Sequence, residues 1–455
     1  MESQEYSVGL DIGTTKIVAI VGRRNQYGKI EVMGVGVAPS LGVHKGIVNN
    51  IAQTINSIKT AVSEAQKSAG VPITKVTVGI AGKHIRSLQH SDYIMRENPD
   101  QYITEEDIEE LKNQVKKLVM LPGEEIIHVL PQEYKVDSEG EIQEPIGMHG
   151  KRLEANFHVV VGQMSSIKNI SRCVKEAGLE MESLTLEPLA SSEAVLTKEE
   201  KEAGVAIVDI GGGTTDIAIF KDNIIRHTCV IPYGGGIITE DIKDGCSIIE
   251  KHAEQLKVRF GSAVPELEKE STFVTIPGLH GRTEKEISLK TLAKIIHARV
   301  EEILEMVNTE LKAYGAHEKK RKLIAGIVLT GGGSNLKHLR QLANYITGFD
   351  SRIGYANEYI SNDKNQHLKS PEFATSIGLL MESLSIRDKK TNSLVQEEVS
   401  VSSQTVSDET NQEDKILDSD KPTHNETVIQ QNASKKPTIG QNILEKIKKF
   451  FEESE

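Results

Sequence analysis

The chain is 455 residues long, which is enough for two to four domains with sizeable buried cores. Apolar residues make up 38%, and 37 glycines raise the wider apolar class to about 46%, the composition of a folded soluble protein. Of the formal charge of −12, residues 391–434 carry −7 (nine carboxylates against two lysines), leaving about −5 elsewhere, so there is no strongly basic footprint and nucleic acid is not an expected partner. The three cysteines, Cys173, Cys229 and Cys246, form no C-x-x-C and accompany no paired histidines. Their spacing therefore argues against a disulfide framework or a structural zinc site, fits a reducing cytoplasm and carries no functional signal. No run of 18 uncharged apolar residues occurs, and M-E-S-Q-E-Y-S-V-G-L-D-I-G has neither a basic nor a long apolar region, so neither a spanning helix nor a secretion signal is expected.

In chain order, the first element is Y-S-V-G-L-D-I-G-T-T-K-I-V-A-I-V-G, an apolar strand ending at Asp11, a turn through Gly13, Thr14 and Thr15, and a second strand from Lys16. A β-branched run from Val76 to Ile80 predicts another strand. Between Lys83 and about Gly162 the pattern changes. A capping box, Thr104 to Asp107, opens a helix whose apolar face is Ile108, Leu111, Val115, Leu118 and Val119, and strands are expected at 125–130, 131–137 and 154–161. That is enough for a small α+β unit. Asp209 lies 198 residues after Asp11, in A-G-V-A-I-V-D-I-G-G-G-T-T-D-I-A-I-F, which repeats the strand, Gly/Thr turn and strand of the opening segment. Two hairpins of one design predict a duplicated, two-lobed α/β molecule. Next, A-G-I-V-L-T-G-G-G-S-N-L predicts a strand over 324–330, a turn at Gly331, Gly332 and Gly333, and a helix starting near Ser334 or Asn335.

Beyond about Ile386, residues 391–434 contain no aromatic, no glycine and twelve Ser or Thr. They cannot bury enough apolar area to offset their ordering entropy, and a disordered linker is expected. The segment after Pro437 reads as a helix. At 100° per residue, Ile439, Ile443, Leu444, Ile447, Phe450 and Phe451 fall within one arc of about 140°. Lys446, Lys448 and Lys449 project elsewhere, which suits insertion into an anionic lipid interface. A helix docked on protein is the alternative, although a core helix rarely needs so long a tether.

The glycine turns carry the chemistry. Backbone N–H groups in such turns bind phosphate oxygens where no Cβ obstructs them. Gly13 and the run Gly211, Gly212, Gly213 meet that need, with the hydroxyls of Thr14, Thr15, Thr214 and Thr215 as further donors. Facing hairpins would grip a polyphosphate, and Asp11 and Asp209 at their strand ends would hold Mg2+ through its waters. A turn-capping aspartate is the plainer reading of each. The third turn, at Gly331 to Ser334, suits an adenosine face or a phosphate at a helix start. Neither a Walker A sequence nor a G-x-G-x-x-G fingerprint competes.

D-I-G-T-T-K, V-D-I-G-G-G-T-T-D-I-A and I-V-L-T-G-G-G-S resemble the two phosphate motifs and the adenosine motif of the actin, heat-shock-chaperone and sugar-kinase superfamily. More narrowly, G-I-A-G-K-H-I (79–85), H-V-L-P-Q-E-Y-K-V-D (128–137), P-I-G-M-H-G-K-R-L (145–153), L-A-S-S-E-A-V-L-T (189–197) and H-T-C-V-I-P-Y-G-G (227–235) resemble the FtsA family of bacterial cell-division proteins. The resemblance covers roughly residues 5–385 and the C-terminal tip. It implies an α/β, actin-like ATPase fold with one small subdomain absent and another inserted elsewhere, and it implies ATP and Mg2+ as ligands. By the same resemblance, Glu254 and Lys257 would touch adenosine or ribose, though they also read as an exposed i,i+3 ion pair. Glu187, before Pro188, would help orient an attacking water, but its plainer reading is an acidic residue stabilising a helix start. At most weak ATPase activity is expected.

The domains expected are a first lobe at 1–82 and 163–200, an inserted subdomain at 83–162, a second lobe at 201–237 and 314–386 with a small subdomain at 238–313, a linker at 387–437 and a membrane-targeting helix at 438–455. The resemblance implies a scaffold at the cytoplasmic face of the inner membrane, at the division septum, peripherally bound and polymerising head to tail. Its partners would be the C-terminal tail of the tubulin-like protein FtsZ, docked on the small subdomain near Lys294 and Arg299, and later division proteins. Arg299→Glu is expected to abolish tail binding without unfolding the chain. A pilus-assembly ATPase and a small-molecule kinase of the same superfamily are the competing readings.

Overall fold

In this computed structural model, which describes residues 6–278, 283–356, 359–361 and 366–390, the chain opens with β1 (Ser7–Ile12), β2 (Lys16–Arg24) and β3 (Ile30–Pro39). A two-residue pair, β4 (Val43–His44) and β5 (Ile47–Val48), leads into α1 (Ile51–Ala69) and β6 (Lys75–Ile80). All six residues of β1 are buried, as its unbroken apolar run requires of a central strand. The Asn50 side chain accepts from Gln53 N–H at the start of α1, and Gly70 ends the helix at φ 71°. α1 lies directly on β3. A Cβ at Gly36 would come within 1.9 Å of the Ala61 carbonyl oxygen, so the close approach demands glycine there.

The inserted unit follows as β7 (Ile85–Met95), α2 (Glu105–Lys116), β8 (Glu124–Val136), β9 (Glu139–Ile142) and β10 (Arg152–Gln163). Its strands form an antiparallel sheet of order β7-β10-β8-β9 around Leu111, Val115, Leu153 and Phe157. The capping box forms, with the Asp107 carboxylate accepting from the Thr104 N–H. Two expectations are corrected. α2 stops at Lys116 and leaves Val119 96% exposed, so the apolar face is shorter than the periodicity implied. Pro131 does not divide two strands either. It sits within β8 opposite Phe157, next to a register shift at which Gln132 bulges, a place where a missing N–H costs the ladder little.

α3 (Met164–Glu176) and β11 (Glu180–Leu186) complete the first sheet, of order β11-β6-β1-β2-β3. After α4 (Glu187–Val195) and α5 (Lys198–Ala203), the second lobe builds β12 (Val205–Ile210), β13 (Thr215–Lys221) and β14 (Ile224–Ile231). Then come α6 (Gly235–Cys246), α7 (Glu250–Phe260), the hairpin β15 (Phe273–Ile276) and β16 (Lys285–Ser288), α8 (Leu289–Tyr314), β17 (Gly326–Thr330), α9 (Leu339–Thr347) and β18 (Ser351–Ile353). The sheet order is β14-β13-β12-β17-β18. Read from its other edge it repeats the first sheet: two parallel strands, then a hairpin, then an antiparallel edge strand. The repeated motif in the sequence is thus a repeated topology.

One core lies inside each lobe, and another joins them through Val18, Ile20, Ile207, Ala218, Ile377 and Leu380. Residues 374–390 are helical, and a Cβ at Gly378 would lie 1.8 Å from the Ala190 carbonyl oxygen, so this helix crosses α4 backbone to backbone. The linker expected from residue 387 is corrected at its start, because 387–390 continue this helix, with Asp388 paired to Arg24 and Lys390 to Glu182; the rest of it and the amphipathic helix, with Ile439, Ile443, Leu444, Ile447, Phe450 and Phe451, lie outside the described residues.

Candidate functional site

The two Gly/Thr hairpins face one another. A Cβ at Gly212 would come within 2.4 Å of Thr15 Cγ2, and one at Gly213 within 2.5 Å of Thr14 Oγ1. Between the hairpins is a cavity of about 320 Å3, the size of a small-ligand pocket. Asp11, Gly13, Thr14, Thr15 and Lys16 line it from the first lobe, and Asp209, Gly211, Gly212, Gly213 and Thr214 from the second. Glu254, Lys257, Gly331, Gly332, Gly333 and Glu187 border it as well. Two predicted site residues are turned away. The buried Thr215 hydroxyl donates to the Tyr233 carbonyl, just past the paired strand β14, and that of Ser334 to the Gly331 carbonyl within its own turn. The third turn also differs from expectation, since Gly332–Asn335 form a 3-10 turn and the α-helix begins only at Leu339. The residues that reach the cavity there are Asn335 and Leu336.

Several residues that support the cavity were not legible in the sequence. The first turn of the helix at 374–390 carries Thr375, whose hydroxyl donates to Asp209 (3.1 Å), and Ser376, whose hydroxyl donates to Asp11 (3.0 Å). Neighbouring hydroxyls on one helix thus hold the two strand-end aspartates, and Ser191 of α4 adds a third donor at 2.6 Å from Asp209. A second site missed is the start of α6, where Gly235 N–H and Gly236 N–H donate to the carbonyls of Gly211 and Gly212 at 2.8 and 2.7 Å. The glycine run 234–236 was the available signal, since a backbone that approaches another turn so closely has no room for Cβ.

Charge in the cleft is unbalanced. Burial raises Asp11 to about 6 and Asp216 to about 7, raises Asp209 as well, and drives Glu187 well above the carboxylate range, with repulsion from Asp11, Asp216 and Asp209 adding to it. The lysines are already engaged. Lys16 pairs with Glu372 at 2.7 Å, and Lys257 pairs with Glu254 at 2.7 Å while donating to the Gly235 carbonyl and the Thr239 hydroxyl. Asp216 accepts from Thr214 through Oδ2, and its buried Oδ1 has no partner.

The donor set therefore fits a polyphosphate with a divalent cation. Glycine turns leave a cradle that any Cβ would fill, and an orphaned carboxylate oxygen among repelling carboxyls would be relieved by positive charge.

Arg299 on α8 is bound to Asp241 of α6 at 2.6 and 3.0 Å and also to Glu302, whereas Lys294 is exposed. An acidic peptide would have to compete for Arg299, and Arg299→Glu would set a carboxylate against Asp241. That substitution is therefore not the neutral probe the sequence implied.

Lobes of repeated topology joined at facing Gly/Thr hairpins define an actin-like protein, and a solved structure described as the PilM-PilN type IV pilus biogenesis complex shares the fold. Its TM-score is 0.62 at 16% identity, covering 83% of this chain and 98% of that one. Within that class, the family model described as cell division protein FtsA matches residues 206–378, and that of the SHS2 domain inserted in FtsA matches residues 82–161. The cell division protein FtsA of Pseudomonas aeruginosa is 40% identical over 382 residues, 84% of this chain and 90% of the relative. Those of Neisseria meningitidis (38% over 379 residues, 83% and 90%) and Escherichia coli K12 (34% over 377 residues, 82% and 89%) agree. The chain belongs to the FtsA family, and its role is in cell division.

Proposed function

We propose that this chain binds Mg-ATP between its lobes and, as a head-to-tail polymer, tethers FtsZ filaments to the cytoplasmic face of the inner membrane at the septum. The observation that carries the nucleotide part is the glycine cradle around an unpartnered Asp216 oxygen. Gly212, Gly213 and Gly13 would offer N–H groups to phosphate, that of Gly211 being taken by the Thr214 carbonyl at 2.9 Å; Asp11 and Asp209 would hold hydrated Mg2+, and Asn335, Leu336 and Val258 line the same cavity for a base. Burial, with repulsion from Asp11, Asp216 and Asp209 adding to it, raises Glu187 well above its ordinary value at the border of the cavity.

The domain boundaries expected from the sequence belong to this proposal, as does the terminal helix as lipid anchor. No helix among the described residues is long and apolar enough to cross a membrane. One short helix binds lipid marginally, so residence at the surface would require several tips joined in a polymer. The pilus reading has only the shared fold behind it.

The test is co-sedimentation with anionic liposomes, with FtsZ filaments and with or without Mg-ATP, comparing the full chain with one truncated after Ser434. Pelleting that needs residues 435–455 and carries FtsZ down is expected, and Lys294→Glu should leave FtsZ in solution while the chain still pellets. Equal pelleting of the truncated chain would overturn the anchor.

A further inference from the structure

His227 and Cys229 stand two residues apart on β14, which places both side chains on one face of the strand, and Glu310 of α8 meets them there. One ligand atom from each, an imidazole nitrogen, a thiol sulfur and a carboxylate oxygen, lies within 4.8 Å of the other two. We propose that these three side chains form a binding site for a thiophilic divalent cation of the Zn2+ class, independent of the nucleotide cleft.

The ligand set selects the ion. Sulfur and imidazole favour Zn2+ and its neighbours over Mg2+ or Ca2+, which take oxygen shells. Three protein ligands leave a fourth position to water. The site is reachable from solvent, because the His227 side chain is 28% exposed and that of Glu310 is 37% exposed. Glu310 accepts from His227 Nε2 at 3.2 Å, and the Cys229 sulfur lies within 4.8 Å of both ligand atoms. Coordination would replace that hydrogen bond. The thiol proton passes to solvent, the sulfur and carboxylate bind as anions, and the imidazole binds neutral through one nitrogen. Tyr314, one helical turn after Glu310, stacks on the His227 ring with centroids 6.4 Å apart and fixes its orientation.

The location gives the site a structural consequence. β14 is the edge strand of the second-lobe sheet, and on its other face Thr228 bonds His158 (2.9 Å) and, through its carbonyl, Ser87 (3.2 Å), both from the inserted unit. A bound ion would pin α8 to the strand on which the inserted unit is seated.

The test uses the metal-free full chain in a non-chelating reductant, titrated with Co2+ and then Zn2+. One equivalent of Co2+ should give a thiolate-to-cobalt charge-transfer band with tetrahedral visible bands, release about one proton, be displaced by Zn2+ and be unaffected by Mg2+. Cys229→Ser should abolish the band and Glu310→Gln should weaken binding at least about tenfold, while the doubly substituted Cys173→Ser, Cys246→Ser chain keeps the wild-type spectrum. Circular dichroism confirms that each variant is folded before titration, and His227→Gln replaces Cys229→Ser if the latter does not fold. Absence of the band in the wild-type chain, or its persistence in Cys229→Ser, overturns the site.

Discussion

Asp216 occupies the position in the second hairpin that Val18 and its neighbours fill with apolar side chains in the first, and that asymmetry sets the electrostatics of the cleft. Its carboxyl is buried and is raised from 3.8 to about 7, first by burial and then by Asp209. Between those values the folded chain holds a proton that the unfolded chain releases, so stability falls as pH rises from about 4 to about 7 and is level above. The shift corresponds to at most about 4 kcal/mol. In divalent-free buffer the melting temperature of the wild-type chain should therefore drop relative to Asp216→Asn across that window, by a few degrees, and Mg-ATP should narrow the gap. Parallel melting curves for the two chains between pH 4 and 8 would refute this assignment of charge.

At the scale of elements, the segment L-P-Q-E-Y turns out to be a seam. Gln132, bulged from β8 next to Pro131, donates from Nε2 to the Ile225 carbonyl of β14 at 2.6 Å, Glu133 pairs with Arg226 at 2.7 Å, and Tyr134 is buried in the core of the inserted unit. The bulge aims Gln132 out of its own sheet and onto the second lobe. The same strand reaches the cleft, since His128, kept neutral by burial at about 4, accepts through Nε2 from the N–H of Leu186, the residue before Glu187. Removing the Gln132 amide leaves a buried carbonyl short of its partner, at a cost of about 1–3 kcal/mol. Gln132→Ala should lower the urea midpoint accordingly, with proteolysis first at the inserted unit. Global unfolding with an unchanged midpoint would mean that the seam contributes nothing to stability.

For the whole molecule, the lobes meet at glycines as well as through the shared core. Gly213 lies so close to the first lobe that its Cβ would be 2.9 Å from Lys45 Cα as well as 2.5 Å from Thr14 Oγ1. Gly213→Val must spread the hairpins, and a ligand held from both sides then loses donors on one of them. ATP affinity should fall about 100-fold or more with little change in thermal stability of the ligand-free chain, read by fluorescent-nucleotide titration beside melting. Undiminished affinity would place the phosphates elsewhere.

The sequence alone determined the duplication, because a strand–turn–strand motif with an aspartate at the strand end and glycines in the turn is local chemistry that repeats wherever the backbone must approach a ligand. It also determined the insertion, through a capping box and a change of periodicity between residues 83 and 162. Tertiary structure alone decided what those motifs share. Thr375 and Ser376 hold Asp209 and Asp11 from 166 and 365 residues away in the chain, and no periodicity records a hydrogen bond between such distant partners. For the same reason cysteine spacing could not record that Glu310 arrives beside His227 and Cys229 from a different element. Motifs are written in neighbours along the chain, whereas sites are written in neighbours in space, and packing of α8 on β14 or of residues 374–390 between the lobes is what converts one into the other.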